Sequence, residues 1–353
     1  MRKLILLLLA FAMATSVAES FAQQSDRYEQ RLNDIEKILK KLPQVSGYVQ
    51  FGYQWSDNPN NDESTFHIRR ARLSLSGSLH QKLADYKVQA ELSGSPKVLD
   101  AYVRLTPYKA LNLQVGQFKV PFSIENVDYS PSRLETIDYP MALQKLMGYS
   151  ESIGNTTIKA SGRDIGATLY GSILPQDGYS ILSYRIGLFN GTGINTKDNN
   201  SSKDIAARIN INPIKELTIS GSYFRGEWDK TYVTRERYAV GAAYEIPKGV
   251  FVRSEYLWGK TDNIHSDGLY VLFGCYLNNK LSSVVRYDTF NEDKDADDIA
   301  QTNYLIGLDY KMCKNIRLQL NYTLQHFEQN HPTAVTFNHQ KFSLVQMMLT
   351  GSF

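Results

Sequence analysis

Polar and apolar residues alternate with a period of two from Val45 to the end of this 353-residue chain. Successive side chains of a strand point to opposite faces, so every such segment has one apolar and one polar face. The pattern predicts sixteen strands of about ten to fifteen residues each. They span 45–55, 66–79, 84–94, 97–106, 110–118, 161–174, 179–190, 203–212, 215–226, 235–246, 249–259, 267–278, 281–290, 301–311, 315–326 and 339–353.

The connections between these segments alternate between short and long. Tight turns such as 107–110 and 246–249 are followed by longer stretches rich in Asp, Asn, Gly and Thr, such as 191–202. Only the link at 94–96 is short where a long one is expected. This alternation is typical of transmembrane barrels, which have short periplasmic turns and longer external loops. The predicted fold is an all-β transmembrane barrel of about 16 antiparallel strands, with both termini on the periplasmic side.

The N-terminal residues 1–22 have the features of a secretory signal peptide. A basic start is followed by the apolar run 4–14 and by a small-residue cleavage site ending at Ala22. No later segment approaches about 20 uninterrupted apolar residues. The mature protein is therefore either exported and soluble, or inserted in a membrane by some means other than helices. The final segment ends on Phe353, which resembles the terminal aromatic signature of outer-membrane barrels.

A single helical segment is predicted at 23–43, between the signal peptide and the barrel at 44–353. Its apolar residues step by three and four, which is a heptad spacing, and Pro43 ends it. Two interpretations remain open: a short periplasmic coiled coil that joins protomers, or a lone amphipathic helix.

Composition and motifs argue against several functions. A net charge of +3 is too small to indicate nucleic-acid binding, and the two cysteines cannot form a disulfide framework. No HExxH, no GxSxG and no zinc-type Cys/His spacing occurs, so neither an enzyme nor a metal or cofactor site is predicted. The 23 tyrosines suit strands and membrane interfaces.

If the apolar faces meet lipid, the opposite phase lines the lumen. Charges of both signs on this phase are interpreted mostly as a neutralising ladder that keeps the wall hydrated. The basic members are Arg70, Arg72, Lys87, Arg104, Arg185, Arg208, Arg237, Arg253, Arg286 and Arg317. The acidic members are Glu91, Asp100, Asp164, Asp204, Glu245, Glu255, Asp288 and Asp309.

One concentrated group stands apart from this ladder. Arg69, Arg70 and Arg72 lie together in one segment with no acidic residue nearby in sequence. Guanidinium groups suit phosphate and carboxylate oxygens, and rings of basic residues make pores select anions. Strict alternation places Arg69 on the lipid phase, so its inclusion requires a bulge or a strand-end position.

The connection at 119–160 is about forty residues long, and a loop of that length is usually functional. It carries Lys119, Arg133 and Lys145. In wide barrels such a loop can fold inward and narrow the channel.

Several stretches together resemble the phosphate-selective porin O and P family, over essentially all of the mature chain and most strongly from 66 to 210. They are FHIRRARLSLSGSL at 66–79, LDAYVRLTPYKALNLQVGQFKVPFSIE at 99–125, GRDIGATLYG at 162–171, YRIGLFNGTG at 184–193 and KDIAARI at 203–209. The resemblance implies a sixteen-stranded, usually trimeric porin of the Gram-negative outer membrane, with a basic constriction that passes small anions. It also implies that Arg69, Arg70, Asp100, Lys119 and Arg133 line the narrow zone, where Asp100 would prevent overly tight anion binding.

The predicted function is passive, mildly anion-preferring diffusion of small solutes, with phosphate or other oxyanions as candidates. The candidate anion site comprises Arg69, Arg70, Arg72, Asp100, Lys119 and Arg133. Acids nearly balance bases in the later strands, which favours a general porin over a phosphate-specific one. The expected partners are small anions, outer-membrane lipid and two further copies of the chain. The alternative is a structural or adhesive barrel with little conductance.

Overall fold

The computed structural model describes residues 28–32, 42–60, 64–80 and 83–353. The chain divides into two compact units, residues 1–44 and 45–353, and the second contains the barrel. Residues 28–32 are helical. The predicted signal peptide and most of the predicted helix at 23–43 lie outside the described residues.

Sixteen antiparallel strands form a closed barrel, which confirms the predicted fold. Each predicted segment overlaps one strand, with bounds that agree to within about three residues. The strands are β1 Gln44–Ser56, β2 Ser64–His80, β3 Ala84–Glu91, β4 Lys97–Leu105, β5 Asn112–Lys119, β6 Arg163–Gln176, β7 Tyr179–Phe189, β8 Asp204–Ile214, β9 Leu217–Trp228, β10 Val233–Glu245, β11 Val250–Thr261, β12 Ile264–Tyr276, β13 Leu281–Asn291, β14 Gln301–Lys311, β15 Ile316–Phe327 and β16 Lys341–Ser352. The barrel closes where β1 meets β16, with Tyr48 opposite Ser352.

The outer surface carries the apolar phase of the strands. Leu73 and Leu75 of β2 are exposed, whereas Arg72 and Ser74, which alternate with them, are buried. Backbone groups in a bilayer must all be hydrogen-bonded, and a closed sheet satisfies this requirement while presenting apolar side chains to lipid. Within the residues that the structure covers, no helix is both long and apolar enough to cross a membrane.

Residues 120–162, between β5 and β6, form a loop that folds into the barrel and is called the inward loop below. It contains two short helices, α1 (Ile124–Asp128) and α2 (Met141–Leu146). The second of these packs against β11, β12 and β13. A third helix, α3 (Pro332–Phe337), lies in the connection between β15 and β16.

The inward loop brings an apolar core into the lumen. Leu134, Leu143 and Leu146 cluster with wall residues that include Phe251 and Leu272, and all five are at most 1% exposed. The prediction of a polar interior is therefore wrong for this part of the wall. The wall there faces packed protein rather than water, so apolar side chains are stable on both of its faces.

Candidate functional site

Arg253 of β11 anchors the middle of the inward loop. Its guanidinium pairs with Glu125 at 3.1 Å and also with Glu135. The same group lies 3.9 Å from the centre of the Tyr129 ring, which is a close cation–π contact. Arg253 is only 1% exposed, and this one wall arginine contacts three residues of the inward loop.

Two further strands, β8 and β10, carry arginines with similar contacts. Arg208 of β8 pairs with Asp128 at 2.5 Å. Arg237 of β10 pairs with Glu151 at 3.1 Å, and Arg235 approaches the same carboxylate at 3.5 Å. These arginines neutralise acids of the inward loop. The interpretation of Arg208 and Arg237 as part of a hydrated ladder along the wall is therefore wrong, since they are 2% and 1% exposed.

Carboxylates of the wall also bind backbone groups of the inward loop. Glu255 of β11 accepts hydrogen bonds from the Ser123 hydroxyl at 2.8 Å and from the Ile124 backbone N–H at 2.7 Å. Asp288 of β13 accepts from the Met141 backbone N–H at 3.0 Å, at the start of α2. Arginines and carboxylates of the wall thus both bind the inward loop, on strands from β8 to β13.

A cavity of about 1220 Å³ lies on the other side of the inward loop. The turn at 312–315 and the first residues of β1 line one end, so the cavity occupies the end of the barrel with the short turns. Four of the six predicted anion-site residues line it, namely Arg72, Asp100, Lys119 and Arg133.

Arg69 faces the lumen, because its guanidinium pairs with Asp138 of the inward loop. Ile68 and Leu73 are both exposed on the outside although five positions separate them, so the alternation of β2 changes phase between them. Strict alternation, which assigned Arg69 to the lipid face, is wrong at this point. Burial acts to raise the pKa of the Asp138 carboxyl, but Arg69, the hydrogen bond from Gln346 and the nearby Arg70 and Arg286 together outweigh it, so this pKa lies below its ordinary value.

Arg70 and Arg72 have different surroundings. Arg72 pairs with Glu91 of β3 at 2.8 Å. Arg70 donates from Nη1 to the Gln50 side-chain oxygen at 2.9 Å and has no carboxylate partner within the described part of the chain. Of the clustered arginines, only Arg70 keeps its full charge free of an ion pair.

Asp100 is shared by two cations. Its carboxylate pairs with Arg163 of β6 at 2.7 Å and with Lys87 of β3 at 3.0 Å. Sequence reasoning missed Arg163 as a site residue, although the GRDIG stretch that contains it was among the family-like segments. The available signal was its position at the start of β6, directly after the long loop. A charged residue at that position lies next to a loop that can fold inward.

Lys119 and Arg133 complete the predicted set. The Lys119 ammonium donates to the backbone oxygens of Asn126 and of Tyr129, the latter at 3.2 Å, so it supports the base of the inward loop. Arg133 lies on the loop surface, where it is exposed. Among the residues with described structure, no carboxylate pairs with it.

The cavity has an excess of unpaired positive charge. Five of its basic side chains have no carboxylate partner in the described structure, whereas only one of its acidic side chains lacks a cation. The unpaired basic residues are Lys119, Arg133, Arg185, Lys311 and Lys314, and the acidic one is Glu245. Such a lining lowers the energy of an anion relative to a cation.

A closed barrel with an apolar exterior, a charged lumen and an inward-folded loop defines the class of outer-membrane porins. The sequence matches the family model for phosphate-selective porin O and P over residues 44–222, which is just over half of the chain. The chain belongs to this family, as its sequence motifs indicated. It is therefore a porin-type channel protein of the Gram-negative outer membrane.

Solved structures agree with this fold at low sequence identity. The anion-selective porin from Comamonas acidovorans has a TM-score of 0.68 at 14% identity, over 88% of this chain and 99% of that chain. The outer-membrane channel DcaP of Acinetobacter baumannii has a TM-score of 0.60 at 14% identity, covering 88% and 97%. The in-vitro folded trimer form of OmpT from Vibrio cholerae has a TM-score of 0.59 at 11% identity, covering 88% and 99%. Comparison with curated proteins gives no match.

Proposed function

We propose that the protein mediates passive, mildly anion-preferring diffusion of small solutes. The observation that carries this proposal is the charge of the cavity, where five cations and one carboxylate have no oppositely charged partner among the described residues. Fixed unpaired charge raises the local concentration of the opposite ion, whereas internal ion pairs contribute little to the field. The anion-selective title of the Comamonas porin supports the same proposal.

The six predicted site residues divide into two groups under this proposal. Lys119 and Arg133 line the cavity without a carboxylate partner among the described residues and offer positive charge to a passing anion. Arg70 also lacks such a partner in the described structure, but it does not line the cavity. Arg69, Arg72 and Asp100 are engaged in ion pairs and shape the walls around them. Phosphate and other oxyanions are the solutes of interest, because guanidinium groups bind their oxygens well.

The test is planar-bilayer conductance of the refolded mature protein under a KCl gradient, with phosphate titrated in. We expect the reversal potential to shift toward the chloride equilibrium potential. We also expect phosphate to block part of the current at micromolar to millimolar concentration. A large current that phosphate does not block would indicate a general porin without phosphate specificity. A cation-selective current would contradict the proposal.

A second candidate function is that of a structural or adhesive barrel with little conductance. It is favoured by the inward loop, which contacts opposite sides of the lumen. The loop contacts β8 to β13 on one side, and Asp138 extends to Arg69 of β2 and to Gln346 of β16 on the other. Absence of channels in bilayers, with correctly folded protein, would select this alternative.

We also propose that the protein is a homotrimer. The strands β3, β4 and β5 have only 8, 9 and 8 residues, against 11 to 17 elsewhere, so one side of the barrel is low. A low apolar wall suits contact with further copies, and the OmpT comparison is to a trimer form. Chemical cross-linking in detergent is the test, and a monomer under all conditions would contradict it. Removal of residues 1–22 and a periplasmic helix at 23–43 stay predictions.

A further inference from the structure

We infer that the short turns between β8 and β15 form a binding surface for anionic phospholipid headgroups of the inner leaflet. The short turns of an outer-membrane barrel lie on the periplasmic side, next to that leaflet. Four of them follow one another along this arc and are called the rim turns below: 215–216, 246–249, 277–280 and 312–315. The inference concerns the outer edge of the barrel and does not depend on which ions pass through its lumen.

Each rim turn carries one exposed lysine, and Glu216 is the one acidic residue in the four turns. The lysines are Lys215, Lys248, Lys280 and Lys314, and none of them pairs with a carboxylate in the described part of the chain. Lys248 has a φ of 60°, in the left-handed region that favours Gly or Asn. A charged side chain therefore occupies a position where the backbone of a lysine is strained.

An exposed apolar side chain lies within three positions of each of these lysines. Ile246, Leu277 and Met312 are 39%, 56% and 47% exposed, and they continue the outward phase of the strands before them. In β14, every second residue from Tyr304 to Met312 is exposed and apolar or aromatic. The lipid-facing surface thus continues into the rim turns. Their lysines lie where acyl chains meet headgroups, and a long lysine stem can carry its charge to the phosphate level.

The opposite end of the barrel has the opposite charge. The connection between β13 and β14, at 292–300, contains Glu292 and four aspartates but only one basic residue, Lys294. A lipid phosphate is attracted by clustered lysines and repelled by clustered carboxylates. The charge of the chain therefore favours anionic lipid at the rim turns and not at this external connection.

The arrangement of the rim turns favours lipid over other anionic partners. Neighbouring turns are two strand spacings apart, about 10 Å, so their charges are spread along the outside of the wall, where headgroups lie side by side. A glycan strand or an acidic protein surface would leave Leu277 and Met312 without an apolar partner. The arc also lies outside the low side from β3 to β5 that is proposed to contact further copies, so lipid can reach it.

The experiment measures the lipid shell of the full-length mature protein with spin-labelled lipids and electron paramagnetic resonance. In phosphatidylcholine vesicles, the readout is the affinity of labelled phosphatidylglycerol relative to labelled phosphatidylcholine at the protein surface. We expect the wild type to prefer phosphatidylglycerol about two- to threefold. The combined variant Lys215→Gln, Lys248→Gln and Lys280→Gln should lose about half of this preference or more.

The matched control removes the same charge from the other end of the barrel. It combines Lys197→Gln, Lys230→Gln and Lys260→Gln, three exposed lysines near the long connections, and it should keep the wild-type ratio. Equal ratios in the two triple variants, or a wild type without lipid preference, would overturn the inference. Co-sedimentation with isolated peptidoglycan that requires the same rim-turn lysines, without a lipid preference, would also overturn it and assign the surface to that polymer.

Two further measurements use the wild type alone and keep the test decisive if the rim-turn variant does not fold, which heat-modifiable migration in gels shows. Salt at about 1 M should remove the preference by screening, and a preference that survives it would contradict the inference. Millimolar inorganic phosphate should leave the lipid ratio unchanged. A lower ratio with phosphate would instead assign the lysines to free phosphate.

Discussion

Two parts of the barrel wall carry arginines in very different states. From β8 to β13, Arg208, Arg237 and Arg253 are 1–2% exposed, and each holds a carboxylate of the inward loop. On the wall around the cavity, Arg185 of β7 has no carboxylate partner in the described structure. The residue type is the same in both parts, but its partner decides whether it holds the inward loop or, under the proposed function, leaves its charge for an anion.

The energetics of the two parts differ as well. Buried ion pairs are costly to break, because the surviving charge stays in a medium of low polarity. Pairs that remain hydrated, such as Arg104 with Asp85 at 40% and 33% exposure, contribute little to stability. Substitutions should therefore affect loop docking on one wall and ion selectivity on the other.

The largest effect is expected for Arg253→Ala, which strands Glu125 and Glu135 without a cation. We expect docking of the inward loop to lose about 3–5 kcal/mol, with faster amide exchange over 120–162 and a higher unitary conductance. Hydrogen exchange by mass spectrometry in detergent measures the first, and bilayer recording measures the second.

Arg104→Ala is the matched control for that substitution. It removes an arginine from a hydrated pair on β4, and we expect exchange in the inward loop to stay as in the wild type. Equal amide exchange over 120–162 in the two variants would show that both parts of the wall stabilise the inward loop to the same degree. That result would contradict the difference between them.

A smaller effect is expected for Arg185→Ala on β7. Loss of one unpaired charge from a hydrated wall changes the energy of a nearby anion by about 0.5–1 kcal/mol. We expect the chloride-to-potassium permeability ratio to fall roughly two- to fivefold, with loop exchange unchanged. Arg225→Ala, an exposed residue on the outer phase of β9, is the control and should leave the ratio unaltered. A shift of equal size in the control would contradict the assignment of Arg185 to the pathway.

The smallest effect is expected for Asp138→Asn, which frees Arg69 from its ion pair. The permeability ratio should then rise by less than about twofold, since one partly hydrated cation is added. The lowered pKa of Asp138 gives the sign of the pH dependence: the contact is fully present above the ordinary carboxyl pKa and is lost as pH falls through the lowered value. Acidification should therefore mimic the substitution in the wild type only below about pH 4. A change already complete at pH 6 would identify another group.

The sixteen strands could be predicted because lipid and water impose a period of two that each segment carries locally. Segment 205–211 shows this, with apolar residues at every second position. The phase change in β2 could not be predicted, since only the contact of Arg69 with Asp138 reveals which face Arg69 occupies.

The candidate site was predictable in part. Arg72, Asp100, Lys119 and Arg133 do line the cavity. Their pairing could not be read from sequence, because ion pairs such as Arg208 with Asp128 join residues 80 positions apart. The role of the loop acids therefore became visible only in three dimensions.

The pairing of β1 with β16 determines when the surroundings of Arg70 are complete. Gln50 bonds to Thr350 across 300 residues, and the same side chain orients Arg70. A partly assembled sheet, with its first and last strands still apart, lacks this contact, whatever else it has formed. Contacts of such long range form late in folding. The surroundings of Arg70 are then complete only in the closed barrel, once the first and last strands have met.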